Sequence, residues 1–297
     1  MEGSVCFAEG GQRTGSFDIS TPADIDATFV VIGVGGVGLA VARRLGVGRR
    51  IIIADYSEET INRAADSLRN DGHDVETRII DISDYGSVDA LAKFASSITR
   101  IQTVVNAAGI SPSMGNSLKI YEVTLLGAAN VIDAFLEVMP PGSSLISVSS
   151  GAGHFARPGI SSELEQHFAT APREQLLGHG AMDLESDSPT AYAISKWGTI
   201  VRVQGAVREG QRRGVRLNSV SLGWVATPML QKELAGEWAD HAKAMIKDAP
   251  ISRPASTNEI AGVVAFLSGP EASFIQGADL LVDGGTLAAS RVGGMTL

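Results

Sequence analysis

The sequence predicts a single α/β domain built on a doubly wound parallel sheet, and three observations carry that expectation. Short β-branched apolar runs alternate with helix-length stretches along most of the chain. The first run, Phe29-Val30-Val31-Ile32, passes straight into Gly33-Val34-Gly35-Gly36-Val37-Gly38 and then into a helical pattern beginning Leu39-Ala40-Val41-Ala42. Finally, Asp55, Asp81, Asn106 and Ser150 each follow a predicted strand end, where open α/β sheets bind their ligands.

Each element follows in order. Phe29–Ile32 reads as a strand buried on both faces. The glycine turn after it fits G-x-G-x-x-G between strand and helix, the Rossmann-like fingerprint in which glycines let the backbone approach a pyrophosphate at a helix N-terminus. Gly33, Gly35, Gly36, Val37 and Gly38 are therefore candidate cofactor contacts. A second strand, Ile51–Ala54, ends at Asp55, about 20 residues past the first glycine, where a carboxylate accepts hydrogen bonds from an adenosine ribose. The same charge repels a ribose phosphate, so NAD is expected over NADP. Arg43, Arg44, Arg49 and Arg50 argue the other way only weakly, since they fall on the first crossover helix and just before the strand. Further on come a helix over Glu58–Asn70, a strand over Val75–Ile80, a helix over Ser87–Ser97 and a strand over Ile101–Val105. A long helix over Leu118–Met139 and a strand over Ser144–Val148 complete this part, followed late in the chain by a helix over Ile260–Leu267 and a strand over Asp279–Val282.

Composition bounds the function. The chain has 297 residues, 44% of them hydrophobic and 19% charged, with a net charge of -9 that disfavours a nucleic-acid surface. Cys6 is the sole cysteine, which excludes an intrachain disulfide and a cysteine-based metal site. Without an apolar run of about 18 residues no membrane span is expected. Residues 1–27 read as a flexible lead-in without a secretory apolar core, residues 28–297 as the domain, and the location as cytoplasmic.

Tyr192 and Lys196 stand four apart in a helical stretch that runs through Val207, so they share one face. A phenol titrates near ~10 and is a poor acid or base at neutral pH; a neighbouring ammonium is expected to favour its phenolate.

Taken together, these motifs resemble the short-chain dehydrogenase/reductase family. The glycine turn, Asp81, Asn106-Ala107-Ala108-Gly109, Ser150, Tyr192-x-x-x-Lys196, Asn218-Ser219-Val220-Ser221-Leu222-Gly223 and Val282-Asp283-Gly284-Gly285 occur in the family's order over about residues 29 to 286. The resemblance implies Tyr192 as general acid/base, Lys196 on the nicotinamide ribose and lowering the Tyr192 pKa, and Ser150 on the substrate oxygen. Ser147 and Ser149 are equal candidates by position alone; Ser150 matches the second serine of the family's pair. Asn106, Ala107 and Gly109 would line the cofactor cleft, Asp81 and Ile82 would hold the adenine, and Val225 and Thr227 would meet the nicotinamide amide. Moving a hydride between a carbinol carbon and a nicotinamide requires a proton to move at the oxygen, which suits Tyr192 with Ser150 polarising the same oxygen.

Departures from the family pattern matter. The glycine turn is one residue short. Leu222 stands where the family has proline. Thr124 replaces the asparagine that supports a water-mediated proton relay, and its hydroxyl is expected to hold a water or to bond back to a carbonyl one turn earlier. Ser150 and Tyr192 lie 42 positions apart, so residues 155–189 read as an insertion, similar to that of some bacterial hydroxysteroid dehydrogenase/carbonyl reductases, which Asp133-Ala134-Phe135-Leu136 also resembles. Within it Ser161 or Ser162 would cap one helix and Pro172 would start a second, ending before Gly178. This segment is expected to form a flap or an altered subunit interface. His154 and His179 lack ligand spacing and are expected to be solvated or structural, with His154 near substrate by its place after Ser150; no metal is expected. Met229 to Lys247 has helical spacing, with Trp224 near its start and Trp238 near its middle, and by resemblance closes over substrate; Met229, Leu230, Leu234 and Met245 suggest a hydrophobic guest.

The expected function is an NAD-dependent oxidoreductase acting on a small-molecule secondary alcohol or ketone, in a homo-oligomer (dimer or tetramer). Steroid-like, acyl and polyketide-like alcohols all remain open. The alternative is a non-catalytic dinucleotide-binding sensor or partner-binding protein on the same fold, which only Thr124 favours.

Overall fold

Phe29 and Val31 face one layer of helices, Val30 and Ile32 face the other, and all four are buried. That division is what the two-residue period of a strand gives when both sheet faces are covered. The structure is a computed structural model that describes residues 27–236 and 239–293. The expected lead-in up to residue 26, Cys6 and Trp238 lie outside the described residues. Ala27, expected to end the lead-in, instead begins the first strand.

Among the described residues one parallel sheet holds β1 (Ala27–Ile32), β2 (Arg50–Asp55), β3 (Asp74–Ile79), β4 (Arg100–Asn106), β5 (Ser144–Ser150), β6 (Arg216–Leu222) and β7 (Asp279–Val282), in the order β3-β2-β1-β4-β5-β6-β7. The order reverses between β1 and β4, and a crevice opens beyond their carboxyl ends. The helices are α1 (Gly36–Leu45), α2 (Glu58–Asn70), α3 (Tyr85–Ile98), α4 (Ser117–Ile120), α5 (Gly127–Val138), α6 (Gly151–Ala156) and α7 (Ser162–Thr170). After them come α8 (Ser188–Gly205), α9 (Val207–Arg213), α10 (Pro228–Glu233), α11 (Ala239–Asp248), α12 (Thr257–Ser268) and α13 (Thr286–Arg291). Side chains of α1, α2 and α12 form one core layer and those of α3 and α5 the other. No helix of the described residues is long and apolar enough to cross a membrane.

A third core cluster lies outside the sheet. Leu164 and Phe168 of α7, with Leu176, pack on Leu125 and on Trp197, Ile200 and Val201 of α8. The close approach needs small residues: a Cβ on Gly198 would lie 2.7 Å from Leu125 and 3.3 Å from Phe168, and one on Gly205 only 2.1 Å from the Ala169 carbonyl oxygen. Ser161 is the cap of α7, accepting from Leu164 N.

Four expectations change. The stretch after Pro172 is a single 3-10 turn, Arg173–Gln175, because it is too short to repay helix nucleation. Met229–Lys247 is divided between α10 and α11, with Gly236 in the interval. The long central helix contains a π-helical turn over Tyr121–Leu126, between α4 and α5. Helix α1 begins at Gly36 rather than Leu39, so half of the glycine turn is already helical.

Candidate active site

The glycine turn is shaped for a guest that needs bare backbone. Gly33 has φ 83°, and a Cβ there would sit 2.4 Å from Ala108 N, so the position excludes other residues twice over. A Cβ on Gly38 would lie 1.8 Å from Gly33 O, which keeps α1 tight against the turn. Gly35 caps α1 without a side chain, so the first-turn N–H groups that include Gly36 and Val37 face the crevice uncapped. These are the features that a dinucleotide pyrophosphate requires. Thr227, the cap of α10, stands opposite, 2.7 Å from where a Gly36 Cβ would lie. Val225 beside it is fixed by a bridge to Ala255.

Asp55 ends β2. Its Oδ2 accepts from Val34 N at 2.8 Å and its Oδ1 from Ser57 N at 3.0 Å, so the carboxylate sits on the glycine turn. Arg50 opens the same strand at its other end and is paired with Asp74; Arg43 is held by Asp71 and Ser67. Asp81 accepts from the backbone and hydroxyl of Ser83, at 2.9 and 2.6 Å. The Ile82 carbonyl accepts from Asn130 Nδ2 at 2.9 Å. Asn106 Oδ1 accepts from Ala108 N at 3.3 Å, and Ala107 N donates to Ile32 O at 2.7 Å, which binds the end of β4 to the end of β1.

Ser150, Tyr192 and Lys196 meet where β5 ends. Asp187 caps α8 by accepting from Thr190 N, with a proline in the first turn. Ser149 Oγ donates to Lys196 O at 2.8 Å and Lys196 Nζ donates to Val148 O at 3.1 Å, so β5 grips the helix. Ser149 is therefore occupied with α8 and Ser147 is buried, while the Ser150 hydroxyl accepts from Ala152 N at 3.2 Å, donates to Leu222 O at 3.5 Å and acts on the Tyr192 phenol to lower its pKa. Burial raises the Tyr192 pKa; the Ser150 hydrogen bond lowers it, and the Glu233 charge raises it. Burial also lowers Lys196 to about 8. The expected depression of the phenol by the ammonium is thus not found: Lys196 Nζ is 5.7 Å from the Tyr192 ring centroid, and burial outweighs it.

Thr124 lies in the π-helical turn. Its hydroxyl is buried and, among the described residues, has no hydrogen-bond partner, in place of the expected back-bond to a carbonyl. His154 is structural: Nε2 donates to Asp279 at 2.7 Å, Asp279 also accepts from Ser219 and Ser221, and the ring stands edge-on to Trp197. Leu230, expected to touch a guest, is buried, whereas Met229 is exposed. Sequence reasoning missed Glu233, which is 41 positions past Tyr192 and carries no motif of its own.

Residues 27–162 match the short chain dehydrogenase family model, and residues 180–286 match the model for enoyl-(acyl carrier protein) reductase. The chain is 35% identical over 263 residues to Short-chain dehydrogenase/reductase bsc3 of Alternaria brassicicola, covering 88% of this chain and 96% of that protein. It is 30% identical to galactitol 2-dehydrogenase (L-tagatose-forming) of Cereibacter sphaeroides, over 87% of this chain and 94% of that one. The crystal structure of levodione reductase has the same fold, with a TM-score of 0.72 at 24% identity, covering 89% and 98% of the two chains. Fold and comparisons define an oxidoreductase of the class that binds nicotinamide dinucleotides. The chain belongs to the short-chain dehydrogenase/reductase family.

Proposed function

We propose that the protein interconverts a secondary alcohol and a ketone with NAD, using Tyr192 as the general acid/base. The observation that supports this reading is the meeting of Ser150, Tyr192 and Lys196 beside the glycine-lined crevice. The N–H groups of the turn from Gly33 to Gly38 would hold the pyrophosphate, Asp55 the adenosine ribose, and Asp81 and Ile82 the adenine. Asn106, Ala107 and Gly109 line the middle of the cleft, and Val225 and Thr227 meet the nicotinamide amide. Bound there, the nicotinamide supplies a hydride acceptor or donor. During oxidation the Tyr192 phenolate takes the proton of the carbinol oxygen, Ser150 holds that oxygen in line, and Lys196 binds the ribose. Thr124 holds a water that carries the proton onward.

Asp55 supports NAD over NADP, since Arg50 and Arg43 are engaged elsewhere. Exposed Met229 gives the substrate an apolar wall. We place the enzyme in the cytoplasm, as one domain over residues 28–297. The faces of α8 and the central helix near Leu125 are covered by α7, so a homo-oligomer would use another surface, for which exposed Phe266 and Phe274 near the β7 edge are suited. A non-catalytic sensor is not favoured, because Ser150, Tyr192 and Lys196 are all present.

The test is nicotinamide absorbance with NAD and a panel of secondary alcohols including hydroxysteroids, beside Tyr192→Phe. Turnover lost in the variant with NADH binding retained supports the reading; NADH binding without turnover by the wild type refutes it.

A further inference from the structure

A carboxylate that this chemistry does not use lies where its charge acts on the Tyr192 phenol. Glu233 ends α10, and its Oε1 accepts from Ser113 Oγ at 2.7 Å. Ser113 lies 3.0 Å from the hydroxyl of buried Ser111, in the Pro112–Met114 turn, which packs on α8. Helix α10 starts at Thr227, against the glycine turn, and ends hooked to the loop that leads from β4. It therefore crosses from the cofactor side of the cleft to the Tyr192 side. Glu233 is half-buried, its charge is felt at the Tyr192 phenol, and among the described residues no cation pairs with it. An ionised carboxylate has about four acceptor sites, and Ser113 uses one.

We propose that Glu233 is a specificity-determining residue of this site: it accepts a hydrogen bond from a second hydroxyl of the substrate, selecting diols over monoalcohols and repelling alcohols that carry an anionic group. The proposal rests on the alcohol–ketone reading of the same site. A hydrogen bond to a charged acceptor is worth roughly 10- to 100-fold in discrimination. The anion is rejected by like charge in a half-buried place.

The experiment compares kcat/KM with NAD for a diol, the monoalcohol of equal length and the matching hydroxy acid, in wild type, Glu233→Gln, Glu233→Leu and Ser113→Ala. Wild type should favour the diol about tenfold or more and reject the hydroxy acid. Glu233→Gln keeps an acceptor oxygen without charge, so it should keep the diol preference and gain the hydroxy acid. Glu233→Leu should lose both preferences. Ser113→Ala frees the carboxylate and should leave both in place, whereas a mere latch would make Ser113→Ala behave like Glu233→Leu. A second readout needs no turnover: ultraviolet phenolate titration of the cofactor-free protein, with Tyr192→Phe to assign the band. Of the charged groups, Lys196 Nζ lies 5.7 Å from the Tyr192 ring centroid and the Glu233 charge acts on the phenol. Glu233→Gln should move the Tyr192 midpoint down. An unmoved midpoint, or unchanged substrate ratios in Glu233→Leu, overturns the assignment. If wild type oxidises no alcohol at all, the alcohol–ketone reading fails and the diol preference fails with it, a result distinct from an active enzyme indifferent to Glu233.

Discussion

Lys196 Nζ and Thr124 Oγ1 converge on Gly109: a Cβ built on that glycine would lie 3.5 Å from the first and 3.9 Å from the second. The lysine donates to Val148 O, whereas the threonine hydroxyl is buried and, among the described residues, unpaired. Leaving such a group unpaired costs about 1–3 kcal/mol, and the space beside Gly109 suits a water or a ribose hydroxyl as its partner. Thr124→Val, which keeps the shape, should hold or raise the stability of the cofactor-free protein by up to ~1 kcal/mol while lowering kcat roughly tenfold. Thr124→Asn should restore kcat. Unchanged kcat in the valine variant would remove Thr124 from the proton path.

The environments of Tyr192 and Lys196 give a pH dependence with a definite sign. If oxidation uses the Tyr192 phenolate as proposed, burial, which raises that pKa, should keep the oxidation rate climbing beyond about pH 9 in a pH–rate profile. A profile flat across the alkaline side would sink the assignment. Lys196 works on stability. Its folded pKa, about 8, is below its unfolded value, so between roughly pH 8 and 10 the unfolded chain holds more protons and stability rises with pH. Urea melts of wild type and Lys196→Met should show that rise only in the wild type.

Asp55 is expected to decide the cofactor. Its two oxygens hold the Val34 and Ser57 N–H groups, so Asp55→Ala removes a ribose acceptor, a charge and a brace of the glycine turn at once. NADH affinity should fall by about tenfold or more, with NADPH affinity unchanged or improved. An NADH/NADPH ratio unaltered by the substitution would show that specificity lies elsewhere.

Phe168 is fully buried between α7 and α8. Phe168→Ala should cost about 3–5 kcal/mol in chemical denaturation. If α7 is only a surface excursion, the variant will unfold at the wild-type midpoint.

Local signals account for what the sequence made legible. Glu58–Asn70 is found at its expected ends because Ser57 caps it and acidic residues fill its first turn. β7 is found as expected over Asp279–Val282, and the glycine turn fixed the start of the fold. What stayed hidden depends on distant partners. The π-helical turn at Thr124 has no signature in its own residues. Ser113 and Glu233 are joined across 120 positions, and His154 finds Asp279 across 125. The misjudged Tyr192 shift has the same origin, since the motif shows the lysine but not the depth of burial.

The cover that α7 lays over α8 is built from the same chain that carries Tyr192 and Lys196. The helix that carries Tyr192 and Lys196 is therefore braced within one chain. On the proposed mechanism, catalytic competence would be a property of the individual molecule, and specific activity should hold steady on dilution.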